Sequence, residues 1–275
     1  MTDLAIGILP GLEPGPSAPR PGSAFLAIVA RDLRVLRRTL PAFAAQIALQ
    51  PLLLVFTFTY VLPNVTGGFG GYATLLIPGL IAGTAFTTGI STVTTPLVSD
   101  LGGTREIDDR VLAPITIRGV ALEKILIGAV NAWLSAALVL PISLLVSATP
   151  VHLHVASWPV LIAAVALVGL ASSALGLTIG TIVKPQQVGI LYGVFVIPVQ
   201  FLGCTYYPWS ALHGLRWVQI LTLANPLTYL SEATRAALTP QVQHLPVGVS
   251  LGVVAALTAF LIAAGSRLLR RRIQA

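Results

Sequence analysis

The chain has 275 residues, a formal net charge of +7 and a mean hydropathy of +0.89. Hydrophobic residues make up 55% of it and charged residues only 9%, whereas a soluble domain carries roughly 25% charged residues. So few charges exclude a soluble globule of this size and indicate a membrane protein. The basic residues flank apolar runs and form no basic face, so no nucleic-acid partner is expected.

The N-terminal region divides into two parts by composition. Residues 1–22 are rich in Pro and Gly and lack a signal-peptide pattern, which predicts a disordered cytoplasmic tail. Residues 23–40 space apolar side chains by three and four positions, with Arg31, Arg34, Arg37 and Arg38 opposite them. This pattern predicts an amphipathic helix at the membrane interface. A plain positively charged flank of the first span is the alternative.

Six segments are apolar and long enough to cross the hydrocarbon of a bilayer as helices. The sequence therefore predicts an all-α membrane protein, with a six-helix transmembrane domain at 41–266. Prolines, glycines or charges separate the segments. The six predicted spans are 42–62, 72–98, 125–147, 158–183, 188–203 and 247–264.

The basic residues fix the predicted orientation, because short cytoplasmic loops are enriched in Lys and Arg. Six spans place both termini on one side, and fourteen of the sixteen Lys and Arg residues then share that side. We therefore expect a multi-pass protein of the cytoplasmic membrane with both termini in the cytoplasm and a basic cytoplasmic tail at 267–275. Only Arg216 and Arg235 fall on the outer side.

A charged island lies between the second and third predicted spans. It runs from Asp100 to Pro114 and holds four of the nine acidic residues of the chain, and the runs 39–99 and 125–183 around it are free of charge. The loop 99–118 is therefore predicted on the cytoplasmic face as a docking surface. A solvated loop without a partner is the alternative.

The segment 204–245 is too polar, and too interrupted by Pro208, Pro226 and Pro240, to form one span. Its tyrosines and tryptophans are typical of the headgroup level. We expect short re-entrant helices between spans five and six. A plain extracellular loop is the alternative, because non-helical backbone at membrane depth must be shielded by protein.

Two stretches carry a family resemblance. One is Thr104-Arg-Glu-Ile-Asp-Asp-Arg-Val-Leu-Ala-Pro114, and the other is Tyr207-Pro-Trp followed by Ala224-Asn-Pro-Leu-Thr-Tyr-Leu-Ser-Glu-Ala-Thr-Arg235. They resemble the membrane subunit of type-2 ATP-binding cassette (ABC) exporters, which include daunorubicin-resistance-type permeases and O-antigen or lipooligosaccharide export permeases. Many members carry two glutamates before Gly-Thr-Leu-Glu in the first loop. Here Asp100 and Arg105-Glu106 stand there, as in the drug-resistance branch, so the resemblance does not by itself assign the cargo of the glycan branch to this chain.

The resemblance implies a division of labour between subunits. The chain has no glycine-rich loop ending in Gly-Lys-Ser/Thr to hold nucleotide phosphates, so no catalytic residue, metal or cofactor is expected in it. ATP and Mg²⁺ would bind a separate ABC ATPase subunit, and the first cytoplasmic loop would be the coupling helix that docks on it. The predicted coupling residues are Asp100, Thr104, Arg105, Glu106, Asp108, Asp109, Arg110 and Pro114.

The second stretch predicts an outer gate. Glu232 and Arg235 are three residues apart on a predicted helix, so they can pair. Such a pair holds a re-entrant segment closed, or remains wet and contributes little. A direct substrate contact is the alternative to a gate. The predicted gate residues are Tyr207, Pro208, Asn225, Pro226, Tyr229, Glu232 and Arg235.

The predicted function is export of a drug, an antibiotic or a lipid-like amphiphile, with a second permease copy or a paralogue completing the pathway in the lipid bilayer. The same type of permease exporting a polysaccharide or lipid-linked glycan is the alternative. An ion-coupled carrier is less expected, because no charge lies deep in a predicted span. Aromatic residues of spans one and five are the candidate pathway lining: Phe56, Phe58, Tyr60, Tyr192 and Phe195.

Three smaller predictions concern packing. Cys204, the only cysteine, is expected to be a buried small hydrophobe. The small residues between Gly169 and Gly176 are expected to allow close helix packing. Most of the polar residues of the spans are expected to hydrogen bond between helices: Gln46, Gln50, Asn131 and Gln200.

Overall fold

The structure is a computed structural model that describes residues 21–66, 72–104, 117–147, 151 and 153–274. Within these ranges every regular element is a helix. We number the helices α1 Pro21–Phe56, α2 Tyr72–Ser99, α3 Ile117–Val146, α4 Trp158–Ile182, α5 Pro185–Leu202, α6 Arg216–Thr222, α7 Pro226–Leu238 and α8 Val247–Gln274.

Six helices of the described chain are long and apolar enough to cross a membrane. This confirms the predicted all-α membrane fold, and each helix overlaps one predicted span. Several helices extend beyond the apolar run by which the span was predicted, since a helix continues through charged residues once it leaves the hydrocarbon. The six helical segments are Val29–Thr66, Tyr72–Gly102, Ile117–Val146, Trp158–Ile182, Pro185–Leu202 and Val247–Gln274.

Helix α1 joins two elements that the sequence predicts as separate. The predicted interfacial helix 23–40 and the first span form one helix that passes Pro41 and Pro51 without a break. Each proline removes one backbone donor, and a membrane helix tolerates this where neighbouring groups satisfy the freed carbonyl. The position of 23–40 at the membrane surface stays a prediction, and residues 1–20 of the predicted tail lie outside the described residues.

Helix α2 is the centre of the bundle. Most of its side chains are buried, and from Leu76 to Phe86 they are buried on every side of the axis, which is typical of a helix enclosed by others. It packs against α3, α4 and α7, whereas α1 packs mainly on α3 and touches α2 less. This arrangement leaves space between α1 and α2.

Small residues bring the central helices close together. A methyl group built on Gly176 of α4 would lie 2.8 Å from the Ile90 carbonyl oxygen of α2, and one on Gly169 would lie 2.3 Å from Trp133 Nε1. The Thr94 hydroxyl donates to the Gly176 carbonyl across this contact at 3.0 Å. The predicted close packing of the Gly169–Gly176 stretch is therefore confirmed.

Gly79 makes the closest approach, and its replacement by alanine is expected to destabilise the chain. The new Cβ would lie 1.8 Å from the Thr205 carbonyl oxygen and 2.6 Å from the carbonyl carbon. Because these are backbone atoms, α2 and the turn after α5 must separate, at a cost of about 1–3 kcal/mol or more.

Thermal unfolding of the full chain measures this cost, with Gly252→Ala as the control. A Cβ on Gly252 of α8 meets no atom within 4 Å, so that variant gains about 0.5–1 kcal/mol of helix propensity. Equal unfolding midpoints for the two variants would contradict the predicted contact.

Candidate functional site

The predicted coupling loop is described only at its two ends. Asp100 and Thr104 bound a π-helical turn, Asp100–Thr104, that continues α2. Six of the predicted coupling residues lie outside the described residues, so their docking role stays a prediction: Arg105, Glu106, Asp108, Asp109, Arg110 and Pro114.

A buried ion pair lies at the base of this loop. Lys124 Nζ of α3 donates to Asp100 Oδ2 at 2.9 Å, and the side chains are only 9% and 10% exposed. Glu123 beside it is also buried. The pair joins the end of α2 to the first turns of α3, the two helices between which the loop runs. Asp100 therefore faces Lys124 in this chain, and its direct contact with a partner stays a prediction.

A second buried ion pair lies on α7, among the predicted gate residues. Arg235 Nη1 donates to Glu232 Oε1 at 2.5 Å, and both side chains are fully buried. The predicted pairing of the two residues is confirmed, and the wet arrangement is wrong for this pair because α2, α4 and α8 enclose α7. We call this pair and its hydrogen-bond partners the outer polar cluster.

Glu232 receives hydrogen bonds from two loops that are distant in sequence. The Trp209 backbone N–H donates to Oε1 at 3.0 Å, and the Leu245 backbone N–H donates to Oε2 at 3.2 Å. Trp209 begins the 3₁₀ turn after α5, and Leu245 precedes α8. One carboxylate thus fixes both ends of the segment 204–245.

Arg235 binds backbone carbonyls on the other side of the cluster. Its Nη2 donates to the Cys204 carbonyl at 3.1 Å and to the Leu75 carbonyl, in the first turn of α2, at 3.3 Å. Cys204 has a φ of +52°, in the left-handed region that costs a non-glycine residue about 1–2 kcal/mol. The hydrogen bond from Arg235 stabilises this conformation.

The Cys204 thiol is enclosed by the same contacts. The side chain is fully buried. Burial, together with the nearby Glu232 carboxylate, raises the pKa of the thiol to about 11. The thiol is therefore protonated at neutral pH and unreactive. This confirms the prediction of a buried small hydrophobe.

Asn225 and Pro226 fix the start of α7. Asn225 Oδ1 accepts from the Leu227 N–H at 3.0 Å and caps the helix, with Pro226 in its first turn. Asn225 Nδ2 donates to the Val199 carbonyl of α5 at 2.6 Å. The resemblance pointed to this Asn-Pro pair, and the structure assigns it the joining of α5 to α7.

The remaining predicted gate residues hold the segment together locally. The Tyr229 hydroxyl donates to the Leu223 carbonyl at 2.8 Å, and the Tyr207 hydroxyl donates to the Phe201 carbonyl at 2.9 Å. Pro208 occupies the position before the first residue of the 3₁₀ turn. The segment is thus an ordered set of short helices. Its depth in the membrane stays a prediction.

The predicted pathway aromatics are not gathered in one place. Phe58 and Tyr192 pack against the apolar core of the bundle. The side chains of Phe56, Tyr60 and Phe195 are 42%, 52% and 38% exposed. Phe56 stacks on Tyr60 with ring centroids 5.3 Å apart. Their predicted role in lining a pathway is untested.

A polar cavity between α1, α2 and α3 was missed at the sequence level. Its volume is about 490 Å³. Hydroxyl groups recur along α2 with helical spacing and form one wall of the cavity. This regular spacing is the sequence signal that would have found it. The hydroxyl residues of this wall are Thr84, Thr87, Thr88, Ser91, Thr92 and Thr95.

Six apolar helices long enough to cross a membrane, with buried ion pairs at the end of α2 and on α7, define a multi-pass membrane protein. The model of the ABC-2 type transporter family matches residues 23–239. The chain therefore belongs to the ABC-2 type transporter family, as the resemblance predicted. It is a permease of an ABC transporter, and membership implies association with an ABC ATPase subunit. Comparison with curated proteins gave no match.

Proposed function

We propose that this permease exports a drug, an antibiotic or a lipid-like amphiphile across the cytoplasmic membrane, driven by ATP hydrolysis on its partner subunit. The observation that carries the proposal is the chemistry of α1 and α5. Both helices expose most of their side chains, and neither bears a charge between Thr39 and Phe56 or along 185–202. A surface of this kind favours a cargo with an apolar body that moves from the inner leaflet.

The pathway requires a further permease beside this one. The exposed faces of α1 and α5 provide apolar surface for a second copy or a paralogue, with lipid covering the rest. The proposed orientation has both termini and the loop 99–118 in the cytoplasm, and the distribution of Lys and Arg supports it. The absence of charge from the apolar runs argues against an ion-coupled carrier.

Energy transfer is proposed to pass through the loop between α2 and α3. The ATPase subunit would hold ATP and Mg²⁺ and contact the carboxylates of the loop through basic residues. The Asp100–Lys124 pair supports this role, because it fixes the two helix ends from which the loop departs. A displacement of the loop by the ATPase subunit is then transmitted to α2, the central helix.

Reversing the loop charges is expected to abolish ATP-dependent export. The double variant Glu106→Arg/Asp109→Arg replaces two carboxylates with cations, and like charges at an interface cost several kcal/mol. Co-purification with the partner ATPase subunit, and ATP hydrolysis by the complex in proteoliposomes, measure the effect.

Arg216→Glu is the matched control, since it reverses an exposed charge on the predicted outer side. It is expected to leave both association and hydrolysis at the level of the parent chain. Normal association and export by the double variant would contradict the coupling proposal. Transport that persists without ATP under an ion gradient would contradict the exporter proposal itself.

A further inference from the structure

The cavity between α1, α2 and α3 is large enough for a small molecule, and polar residues dominate its lining. Ten of its fourteen lining residues are polar, and none of the fourteen is charged. Its volume of about 490 Å³ lies within the range of small-molecule sites. We propose that it binds an uncharged, hydroxyl-rich head group of the cargo, an inference that rests on the proposed function.

An unpartnered hydroxyl is the observation that points to a ligand. Thr84 lines the cavity at 5% exposure, and its Oγ1 has no hydrogen-bond partner within the described chain. A buried hydroxyl left without a partner costs about 1–3 kcal/mol. A ligand that hydrogen bonds to Thr84 removes this cost, so the site gains more from a polar occupant than from an apolar one.

The other polar groups of the cavity extend the same chemistry. Gln46 and Gln50 of α1 offer amide donors and acceptors opposite α2. Asn131 Nδ2 donates to the Ile127 carbonyl of its own helix at 2.8 Å, and not across helices as the sequence predicts, while its side chain lines the cavity. Serine and threonine hydroxyls that donate within a helix still accept hydrogen bonds.

The cavity selects for a neutral group. Buried charges require a countercharge, and no lining residue supplies one. A smaller cavity of about 270 Å³ shares five lining residues with it and reaches Asp32, Glu123 and Lys124. The charged side chains thus lie only at the end of this space near the loop 99–118, and the uncharged cavity of about 490 Å³ lies further from that loop.

The apolar part of the cargo has a place beside the cavity. Phe43 and Ile47 of α1 line the same space as the hydroxyls of α2. Leu49 and Leu53 on the outer face of α1 are 60% and 53% exposed. A polyol stacks its C–H face on an aromatic ring while its hydroxyls reach α2, and an attached chain lies along α1 towards the lipid.

Short amphiphiles with one tail and three head groups test the proposal. The full chain in phosphatidylcholine nanodiscs is titrated with hexyl β-glucoside, hexyl phosphocholine and hexanol, and the thermal unfolding midpoint is followed. Hexyl glucoside is expected to raise the midpoint at concentrations at which the other two do not. Equal effects of the three probes would overturn the proposal.

Two cavity variants locate the site. Thr84→Val and Gln46→Leu are each expected to weaken hexyl glucoside binding about three- to tenfold, the loss of one hydrogen bond. Thr258→Val is the matched control, because Thr258 is also 5% exposed but donates to Val254 of α8, away from the cavity. Equal weakening in Thr84→Val and Thr258→Val would overturn the assignment to this cavity.

Thr84→Val also separates binding from folding. Its hydroxyl has no partner to lose, so the midpoint of the unliganded variant is expected to match or exceed that of the parent chain. A lower unliganded midpoint would show a structural hydroxyl and overturn the inference.

The complex with the ATPase subunit distinguishes cargo from a resident lipid with the same head-group chemistry. Hexyl glucoside is expected to stimulate ATP hydrolysis by the parent complex and less by the Thr84→Val complex. Binding without stimulation would overturn the assignment to cargo. The nanodisc titration needs no ATPase, so it tests the cavity proposal alone. Failure of the exporter proposal is seen in other measurements, as loss of association with the ATPase subunit or as transport that needs no ATP.

Discussion

Glu232→Gln is expected to destabilise the chain by about 3–5 kcal/mol, the usual cost of removing one partner from a buried ion pair. The glutamine has the same size and keeps one acceptor oxygen, so packing changes little. The Arg235 guanidinium remains fully buried, with only the carbonyls of Leu75 and Cys204 as further partners. Thermal or denaturant unfolding of the full chain in detergent measures the loss.

An exposed pair supplies the control for this variant. Arg31 contacts Asp32 at 2.9 Å, but its side chain is 55% exposed, and such pairs contribute about 0–1 kcal/mol. Arg31→Gln is therefore expected to leave the unfolding midpoint almost unchanged. A Glu232→Gln midpoint as close to the parent would show that the outer polar cluster does not stabilise the fold.

The double variant Glu232→Gln/Arg235→Met distinguishes charge from packing. Removing both charges leaves no uncompensated ion, so its destabilisation is expected to fall well below the sum of the two single variants. The Trp209 and Leu245 N–H groups donate to different oxygens of Glu232, so the glutamine keeps an acceptor for only one of them and part of the loss is expected to remain. Additive losses would instead mean that each residue acts through its own contacts.

The pairing of Glu232 with Arg235 was predictable, whereas its surroundings were not. A spacing of three on a helix is a local signal. The backbone partners of the pair come from Leu75, Cys204, Trp209 and Leu245. Nothing local to α7 marks these contacts, because they form only when the segment 204–245 closes on the start of α2.

The difference between local sequence signals and tertiary context also explains which helix boundaries were predictable. The apolar runs predict six spans because the cost of transferring polar groups into hydrocarbon depends on composition alone. The continuity of α1 past Pro41 was not predictable, since proline ends a helix in one context and is tolerated in another. The chain beyond the apolar run, where α3 begins at Ile117, carries no hydropathy signal.

The polar cavity was missed for a different reason. Threonine and serine hydroxyls inside a membrane helix donate to backbone carbonyls of the same helix, as Thr87 does to Gly83 at 3.0 Å. Their hydropathy values are close to neutral, so a hydropathy profile does not mark them as a polar site. Only their periodicity along α2 shows a polar face. Helix α1 packs on α3 and leaves that face of α2 open. This position depends on tertiary packing, so the sequence pattern of α2 does not predict it.

Asp100→Asn is the second substitution with a large expected effect. It is expected to lower both the stability of the chain and the coupling of ATP hydrolysis to export. It leaves the Lys124 ammonium without its countercharge in a position where the side chain is 9% exposed. We expect a loss of about 3 kcal/mol in unfolding free energy. The ends of α2 and α3 also separate more easily, so ATP hydrolysis by the complex continues while export per ATP falls.

A charge exchange separates the pair from its individual residues. Asp100→Lys/Lys124→Asp keeps one carboxylate and one ammonium between the same helices, and it is expected to recover most of the stability and export lost in Asp100→Asn. Association with the ATPase subunit is expected to persist in both variants, since the loop carboxylates are intact. If Asp100 instead contacts the partner directly, the exchanged chain loses association, because a cation then faces the docking surface. Stability recovered without association would therefore assign Asp100 to the interface, and recovery of both assigns it to the base of the loop.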